Sequence, residues 1–328
     1  MGVLARHWEK ADGGKVRCLL CPHTCLIAEG KSGICLIRKN IGGELIQTAY
    51  GEVCSISVDP IEKKPLYHFL PGSDILSIGT NGCNMRCRHC QNWEITTQET
   101  PRKKVTPEEL LALSVKNGSI GIAYTYNEPS IWFEFVYDCA QVFKKAGRKN
   151  VLVTNGQINP APLKELIPLI DAANIDIKGF TEEFYKNEAG NLATVINTIE
   201  ATAASGMHIE LTNLLIPGLN DSRDTFEKMC RYIAGISADI PLHISRYFPM
   251  YKSRQPVTDE KTLTECREIA LSHLNYVYVG NITIEGASDT YCPKCGKKII
   301  ERTGYHTRCL TDKNICPKCA SQLSILFS

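Results

Sequence analysis

The chain has 328 residues, 43% hydrophobic and 22% charged, with a formal net charge of +2. That length suits one large α/β domain with smaller appendages, and the short basic runs at Arg102–Lys104 and Lys144–Lys145 read as solvated faces, which argues against a nucleic-acid partner. No apolar run reaches the length of a membrane span and the first residues lack a signal-peptide core, so no membrane partner is expected and a cytoplasmic location is.

Residues 1–70 read as a cysteine-rich N-terminal module. It carries Cys18, Cys21, Cys25 and Cys35, then a Gly42-Gly43 turn and strand-like alternation over Glu44–Tyr50 and Val53–Val58. Sixteen cysteines in a long chain without an export signal, most of them in close groups, fit metal ligation better than disulfides. The first group suits structural zinc or an auxiliary iron–sulfur cluster. Glu62, Lys63, Lys64, Tyr67 and His68 follow, as a loop over a barrel mouth or, with more weight, a solvated linker.

Over residues 71–287 short β-rich runs alternate with helical ones. Strands are expected at Ile75–Gly79, Ile120–Thr125, Val151–Thr154, Ala173–Lys178, His208–Leu215, Leu242–Tyr247 and Val277–Ile282, the pattern of a parallel sheet with covering helices. Thr106, Pro107 and Glu109 form the start signal of one helix; others are expected from Pro129, Ala161, Ala193, Asp224 and Glu260. Side chains alternate across a strand. Asn174, Asp176 and Lys178 therefore share a face, as do His208, Glu210 and Thr212, and His243, Ser245 and Tyr247. Helices must cover the opposite, aliphatic face. A closed barrel core would be Val-, Ile- and Leu-rich, so this polar face predicts an incomplete barrel with a polar occupant, against a buried ion-pair network as the plainer alternative.

Cys83, Cys87 and Cys90, spaced C-x3-C-x2-C, leave the C-terminal end of the first expected barrel strand, where barrel active sites sit. Three thiolates ligate three irons of a [4Fe-4S] cubane and leave the fourth open, whereas saturated clusters take four cysteines. A zinc site with His89 as fourth ligand is disfavoured because His89 abuts Cys90. Near the end, Cys292, Cys295, Cys316 and Cys319 form two C-x2-C pairs with 20 residues between them, which suits zinc or a single rubredoxin-like iron stapling a ribbon over 288–328. His306 and Cys309 lie between the pairs as substitute ligands. Cys54, Cys139, Cys230, Cys266 and Cys309 read as small buried hydrophobes.

The central triple, the Asp59–Phe69 stretch, Tyr124–Pro129, His243–Pro249 and Cys292–Gly296 together resemble the radical SAM enzymes of the AmmeMemoRadiSam system, relatives of the pyruvate formate-lyase activating enzymes, over nearly the whole chain. The resemblance implies a partial (β/α)6 TIM-like barrel between the N-terminal extension and the C-terminal metal ribbon. It implies a [4Fe-4S] cluster that reductively cleaves S-adenosylmethionine to a 5′-deoxyadenosyl radical, which takes hydrogen from an unidentified small-molecule or protein substrate, with an external one-electron reductant. Alternatives are an activase of a glycyl-radical enzyme and, below it, a non-enzymatic electron-transfer protein. By resemblance, His89, Asn127, Glu128, Thr154, Asp176, Lys178 and His243 are cofactor-binding. Asn127 stands where relatives have a glycine, and Val153 where they have an aspartate, which weakens the expectation of a backbone contact at the first and a monovalent cation at the second.

Overall fold

A computed structural model describes residues 2–327. Its centre is an eight-stranded sheet of β1 (Ser55–Pro60), β2 (Asp74–Gly79), β3 (Gly121–Tyr124), β4 (Lys149–Thr154), β5 (Ala172–Asp176), β6 (His208–Leu215), β7 (Leu242–Arg246) and β8 (Val277–Gly280). The strands lie side by side in chain order, parallel from β2 to β8, with β1 antiparallel on the β2 edge. The second alternating run of the N-terminal stretch is thus an outer strand of the main sheet.

Six helices follow the strands β2 to β7 in turn: α1 (Pro107–Lys116), α2 (Phe133–Lys145), α3 (Pro160–Leu166), α4 (Leu192–Ala204), α5 (Arg223–Ile236) and α6 (Glu260–Leu271). Their starts are written locally. The Thr106 hydroxyl accepts from Glu109 N–H while the Glu109 carboxylate accepts from Thr106 N–H at 2.8 Å, a complete capping box with Pro107 in the first turn. The Asn191 and Asp259 side chains cap α4 and α6 by accepting from Thr194 N–H and Thr262 N–H at 2.8 and 2.7 Å. These helices bury the face of the sheet that carries Ile122, Leu152, Ile175, Leu211 and Ile244 against Phe135, Phe143, Ile199 and Ile233.

Register carries the other face across the sheet. Ser57 pairs with Ser77, Val153 with Asn174, Asn174 with Glu210, Thr212 with His243, and His243 with Tyr278. Paired residues of neighbouring strands point the same way, so this face is polar from β5 onward. Its floor is covered by the segment between β1 and β2. Ile61, Leu66 and Phe69 pack on Ile75, Ala123, Val151 and Ala172, near the beginnings of β2 to β5. Glu62, Lys64 and His68 are buried. The expected loop over the mouth, or solvated linker, is instead an internal plug at the opposite end of the strands, because its apolar residues find the aliphatic patch of Ile75, Ala123, Val151 and Ala172 on that face.

Two small antiparallel sheets precede the central one, formed by Val3–Leu4, Glu44–Gln47 and Arg38–Ile41, and by Trp8–Ala11, Lys15–Cys18 and Leu26–Ile27. A three-stranded ribbon of Thr290–Tyr291, Lys298–Thr303 and His306–Cys309 follows it. The ribbon holds the plug. Arg302 Nη2 donates to the Tyr67 carbonyl at 2.7 Å, the Thr307 hydroxyl to Glu62 Oε1 at 2.7 Å, and Phe69 bridges to Leu326.

Candidate active site

Parallel strands deliver the loops that follow them to one edge, and the chemistry-bearing residues gather there. The cysteine loop leaves β2, Tyr126–Glu128 leave β3, Asn155 leaves β4, and Asp176 and Lys178 leave β5. Several bonds hold the cysteine loop in shape. Met85 N–H donates to Cys83 Sγ at 3.4 Å, Asn155 Nδ2 approaches the same sulfur at 3.8 Å, and Cys90 Sγ lies 3.4 Å from the Thr96 hydroxyl. Glu188 anchors the other side, its carbonyl accepting from Arg86 N–H at 2.9 Å and its carboxylate from Arg88 N–H at 2.7 Å.

Desolvation pushes the free Cys83 thiol up to about 12, with the Glu128 carboxylate adding to it. Cys87 is raised by the same desolvation, while the Lys178 ammonium opposes the rise. Lys178 itself loses stability as a cation by burial, yet Asp176, whose Oδ2 is 2.8 Å away, and Cys87 hold its proton above the usual lysine range. Buried thiols that resist ionisation become thiolates when a metal replaces the proton. Lys178 then supplies a fixed positive charge beside them.

Each residue expected from the sequence has a definite place. Asn127 turns its side chain back to the cysteine loop: Oδ1 accepts from Thr80 N–H at 3.1 Å and Nδ2 donates to the Gly82 carbonyl at 3.1 Å. Glu128 is buried, which raises its carboxyl pKa, and it accepts from Asn155 N–H, Ser130 N–H and the Thr154 hydroxyl. Thr154 is therefore engaged with Glu128. Tyr126 has φ +70, and its hydroxyl donates to Asp59 Oδ2 at 2.7 Å. That bond offsets a left-handed strain of about 1–2 kcal/mol. His89 is buried, which drives its pKa down to about 3, with Nδ1 3.9 Å from Glu188 Oε2.

His243 belongs to a deeper network centred on a residue not singled out as a site from the sequence. The fully buried carboxylate of Glu210 accepts from His243 Nε2 at 2.7 Å, His208 Nε2 at 2.9 Å, and the backbone N–H groups of Tyr67 and His68 at 2.9 and 2.7 Å. Desolvation alone would raise its pKa, but the two imidazoles hold it well below the carboxylate range. Burial lowers His68 to about 3; its Nε2 faces the Tyr278 hydroxyl at 2.6 Å and its Nδ1 the Ser324 carbonyl at 2.7 Å. The polar parity of β6 pointed at Glu210; its partners in the plug are distant in sequence and gave no local signal.

The ribbon cysteines are the one group among the described residues whose ligand atoms all lie within 4.8 Å of one another. Cys292 and Cys319 sulfurs are 3.6 Å apart, as are those of Cys295 and Cys316. Four thiolates at about 2.3 Å from one ion define a tetrahedron with edges of about 3.8 Å, so the group fits a single ion. His306 and Cys309 do not join it: both are exposed, and Cys309 Sγ faces the Pro71 carbonyl. Cys139, Cys230 and Cys266 are buried as expected, whereas Cys54 is half-buried and Cys309 is not buried at all. Cys316→Ala is expected to lose one equivalent of metal and to make residues 288–327 protease-sensitive, since about forty residues bury too little core to stay folded alone; limited proteolysis with metal analysis checks both.

The sequence pattern of the radical SAM superfamily matches residues 77–233, which contain the cysteine loop and the strands that converge on it. Uncharacterized protein MJ0808 of Methanocaldococcus jannaschii is 39% identical over 332 residues, spanning 98% of this chain and 99% of its own. This chain belongs to the radical SAM superfamily. The pyruvate formate-lyase-activating enzyme of Clostridium pasteurianum is 24% identical over 162 residues, 47% of this chain and 67% of that one. In fold, the radical SAM methyltransferase from Sphaerobacter thermophilus is similar over 90% of this chain and 81% of its own, at a TM-score of 0.52 and 12% identity. Radical SAM membership implies a [4Fe-4S] cluster and S-adenosylmethionine. The donor set fits: three thiols on one loop, sulfur-directed N–H groups and a lysine cation facing them.

Proposed function

We propose that this radical SAM protein binds its [4Fe-4S] cluster through Cys83, Cys87 and Cys90 and S-adenosylmethionine along the adjoining polar face, to take a hydrogen atom from a substrate. The observation that carries this reading is convergence: Asn127 after β3 and Asn155 after β4 reach back to the loop that follows β2, and the charge of Lys178 after β5 acts on Cys87. When bound, the cluster and S-adenosylmethionine supply one-electron cleavage of the sulfonium and a 5′-deoxyadenosyl radical. Three cysteines leave one iron without a protein ligand, the place for an amino acid headgroup. The protein's part is orientation and exclusion of competing reactions.

The Asp176–Lys178 pair presents a carboxylate and an ammonium to the cofactor. Glu128 and Asn127 act on its neighbourhood by fixing the Asn155 and Gly82 backbones, and His89, within the loop, faces Phe184 and Glu188. His243, held by Glu210, faces the adenosyl side. In this reading the central sheet is a partial (β/α)6 barrel over residues 71–287, flanked by the N-terminal module of residues 1–70 and the ribbon of 288–328. The plug of residues 61–69 closes the end away from the cluster. Likeness to the pyruvate formate-lyase-activating enzyme supports a second reading, in which the hydrogen comes from a backbone glycine of a partner protein.

Anaerobically reconstituted protein, reduced with dithionite, is expected to release 5′-deoxyadenosine and methionine from S-adenosylmethionine; cluster-loaded protein that releases neither, with or without candidate substrates, would overturn the proposal. Asp176→Asn is expected to weaken S-adenosylmethionine binding about 10–100-fold, the worth of one charge-assisted bond, with iron content unchanged. Titration of the cleavage rate with S-adenosylmethionine, beside iron analysis, checks this.

A further inference from the structure

Four cysteines of the N-terminal module have no part in the proposed reaction. Cys18, Cys21 and Cys35 are buried and Cys25 is half-buried. Cys18 N–H donates to the Cys25 carbonyl at 3.0 Å, and Cys21 lies near enough to Cys18, Cys35 and Cys25 for each to act on its charge. The four nevertheless do not close to the 4.8 Å span of the ribbon group, which among the described residues is alone in meeting it. Ligands on a single ion must crowd to tetrahedral edges of about 3.8 Å. Ligands bound to separate irons of one cluster need not. The central triple shares the wider arrangement.

This group abuts the loop of the central triple. Gly82, one residue before Cys83, has φ +92, and a Cβ there would lie 2.2 Å from the Cys35 carbonyl oxygen, so the two backbones touch at a position only glycine can fill. The Arg86 guanidinium donates to the Ile34 carbonyl, and His23 Nε2 is 2.7 Å from the Asn84 carbonyl. Asn159, just after the Asn155 loop, donates to the Leu19 and Cys21 carbonyls at 2.8 and 3.1 Å. Arg38 is fully buried, paired with Glu134 at 3.0 Å, and feels both Cys18 and Cys35. Its guanidinium, shared with the Glu134 carboxylate, is a cation beside two of the four thiols.

We propose that Cys18, Cys21, Cys25 and Cys35 hold a second iron–sulfur cluster, placed to exchange an electron with the cluster of Cys83, Cys87 and Cys90. One electron from a low-potential donor in solution would enter it and pass on to the first, with no bond made or broken. The location of the second cluster stands on the N-terminal residues alone; its partnership with the first rests on the proposed function.

The test begins with Cys83→Ala, Cys87→Ala and Cys90→Ala combined in the full chain, reconstituted anaerobically with iron and sulfide. Acid-labile sulfide bound in equal amount to the N-terminal iron, and lost on adding Cys21→Ala, is the expected result. Zinc at that group, or iron without sulfide, would overturn the proposal. If the triple variant fails to fold, Cys21→Ala with Cys25→Ala in the otherwise native chain is expected to lower sulfide by the share of one cluster, and unchanged sulfide would overturn it. In the reduced native protein, electron paramagnetic resonance is expected to show the two signals broadened by spin coupling. A spectrum equal to the sum of the single-cluster variants would sink the electron exchange while leaving the second site intact. Sulfide in the triple variant alongside a native protein that cleaves no S-adenosylmethionine would refute the proposed function and not this site.

Discussion

Cys87→Ala is expected to abolish formation of 5′-deoxyadenosine and to remove the central cluster's iron, with the ribbon ion retained. Cys87 is the middle ligand of a loop whose three thiols are the proposed protein ligands, and no fourth cysteine stands ready in that loop to replace it. Chemistry that needs one open iron needs the other three held. Cys230→Ala is the matched control: Cys230 is buried within α5, beside Cys266 on α6, and its loss should cost about 1 kcal/mol of stability with cleavage preserved. Iron analysis and product release, measured side by side, separate a ligand from a packed thiol. Equal activity in Cys87→Ala and the native protein would end the assignment of the loop.

Glu210→Ala is expected to be the most destabilising single change on the polar face, on the order of 3–5 kcal/mol, because it strands two imidazoles and two backbone N–H groups in a buried site. Thermal unfolding at pH 7 reads this directly. The same network makes the fold acid-sensitive, and the sign follows from linkage. His68 in this network, and His89 apart from it beside the cysteine loop, are held to about 3 in the folded chain by burial, against about 6.5 when unfolded, so the unfolded state binds more protons between those values. Their contribution is complete above pH 6.5 and is lost as pH falls toward 3. Glu210, depressed in the folded state, adds further loss of stability as pH drops below the ordinary carboxylate range. Melting temperature is therefore expected to fall steadily from pH 7 to pH 4. His68→Gln should flatten that slope in addition to lowering its starting point.

Much of the fold was legible because each βα unit declares itself locally: an aliphatic alternation, then a cap such as Thr106 with Glu109. The polar parity of Asn174, Glu210 and His243 was legible for the same reason. The role of residues 61–69 was not. Glu62, Lys63 and Lys64 look solvated in sequence, yet Asp59 lies 2.8 and 2.7 Å from the two lysines, and its own pKa stays low because those cations and the Tyr126 hydroxyl outweigh desolvation. Charges that neutralise one another across a turn carry no periodic signal. Asn127 illustrates a different gap. Its place beside Glu128 marked the region, but nothing local in the sequence marks its amide as spanning Thr80 and Gly82 and bracing the cysteine loop from the neighbouring strand.

The clamp between Arg302 and Tyr67 joins residues 235 apart in the chain. During synthesis the plug therefore leaves the ribosome well before the ribbon that clamps it. Until then the Tyr67 carbonyl and the Glu62 carboxylate lack their Arg302 and Thr307 partners. Sealing the floor of the polar face thus waits on contacts of very long sequence separation, which are slow to form.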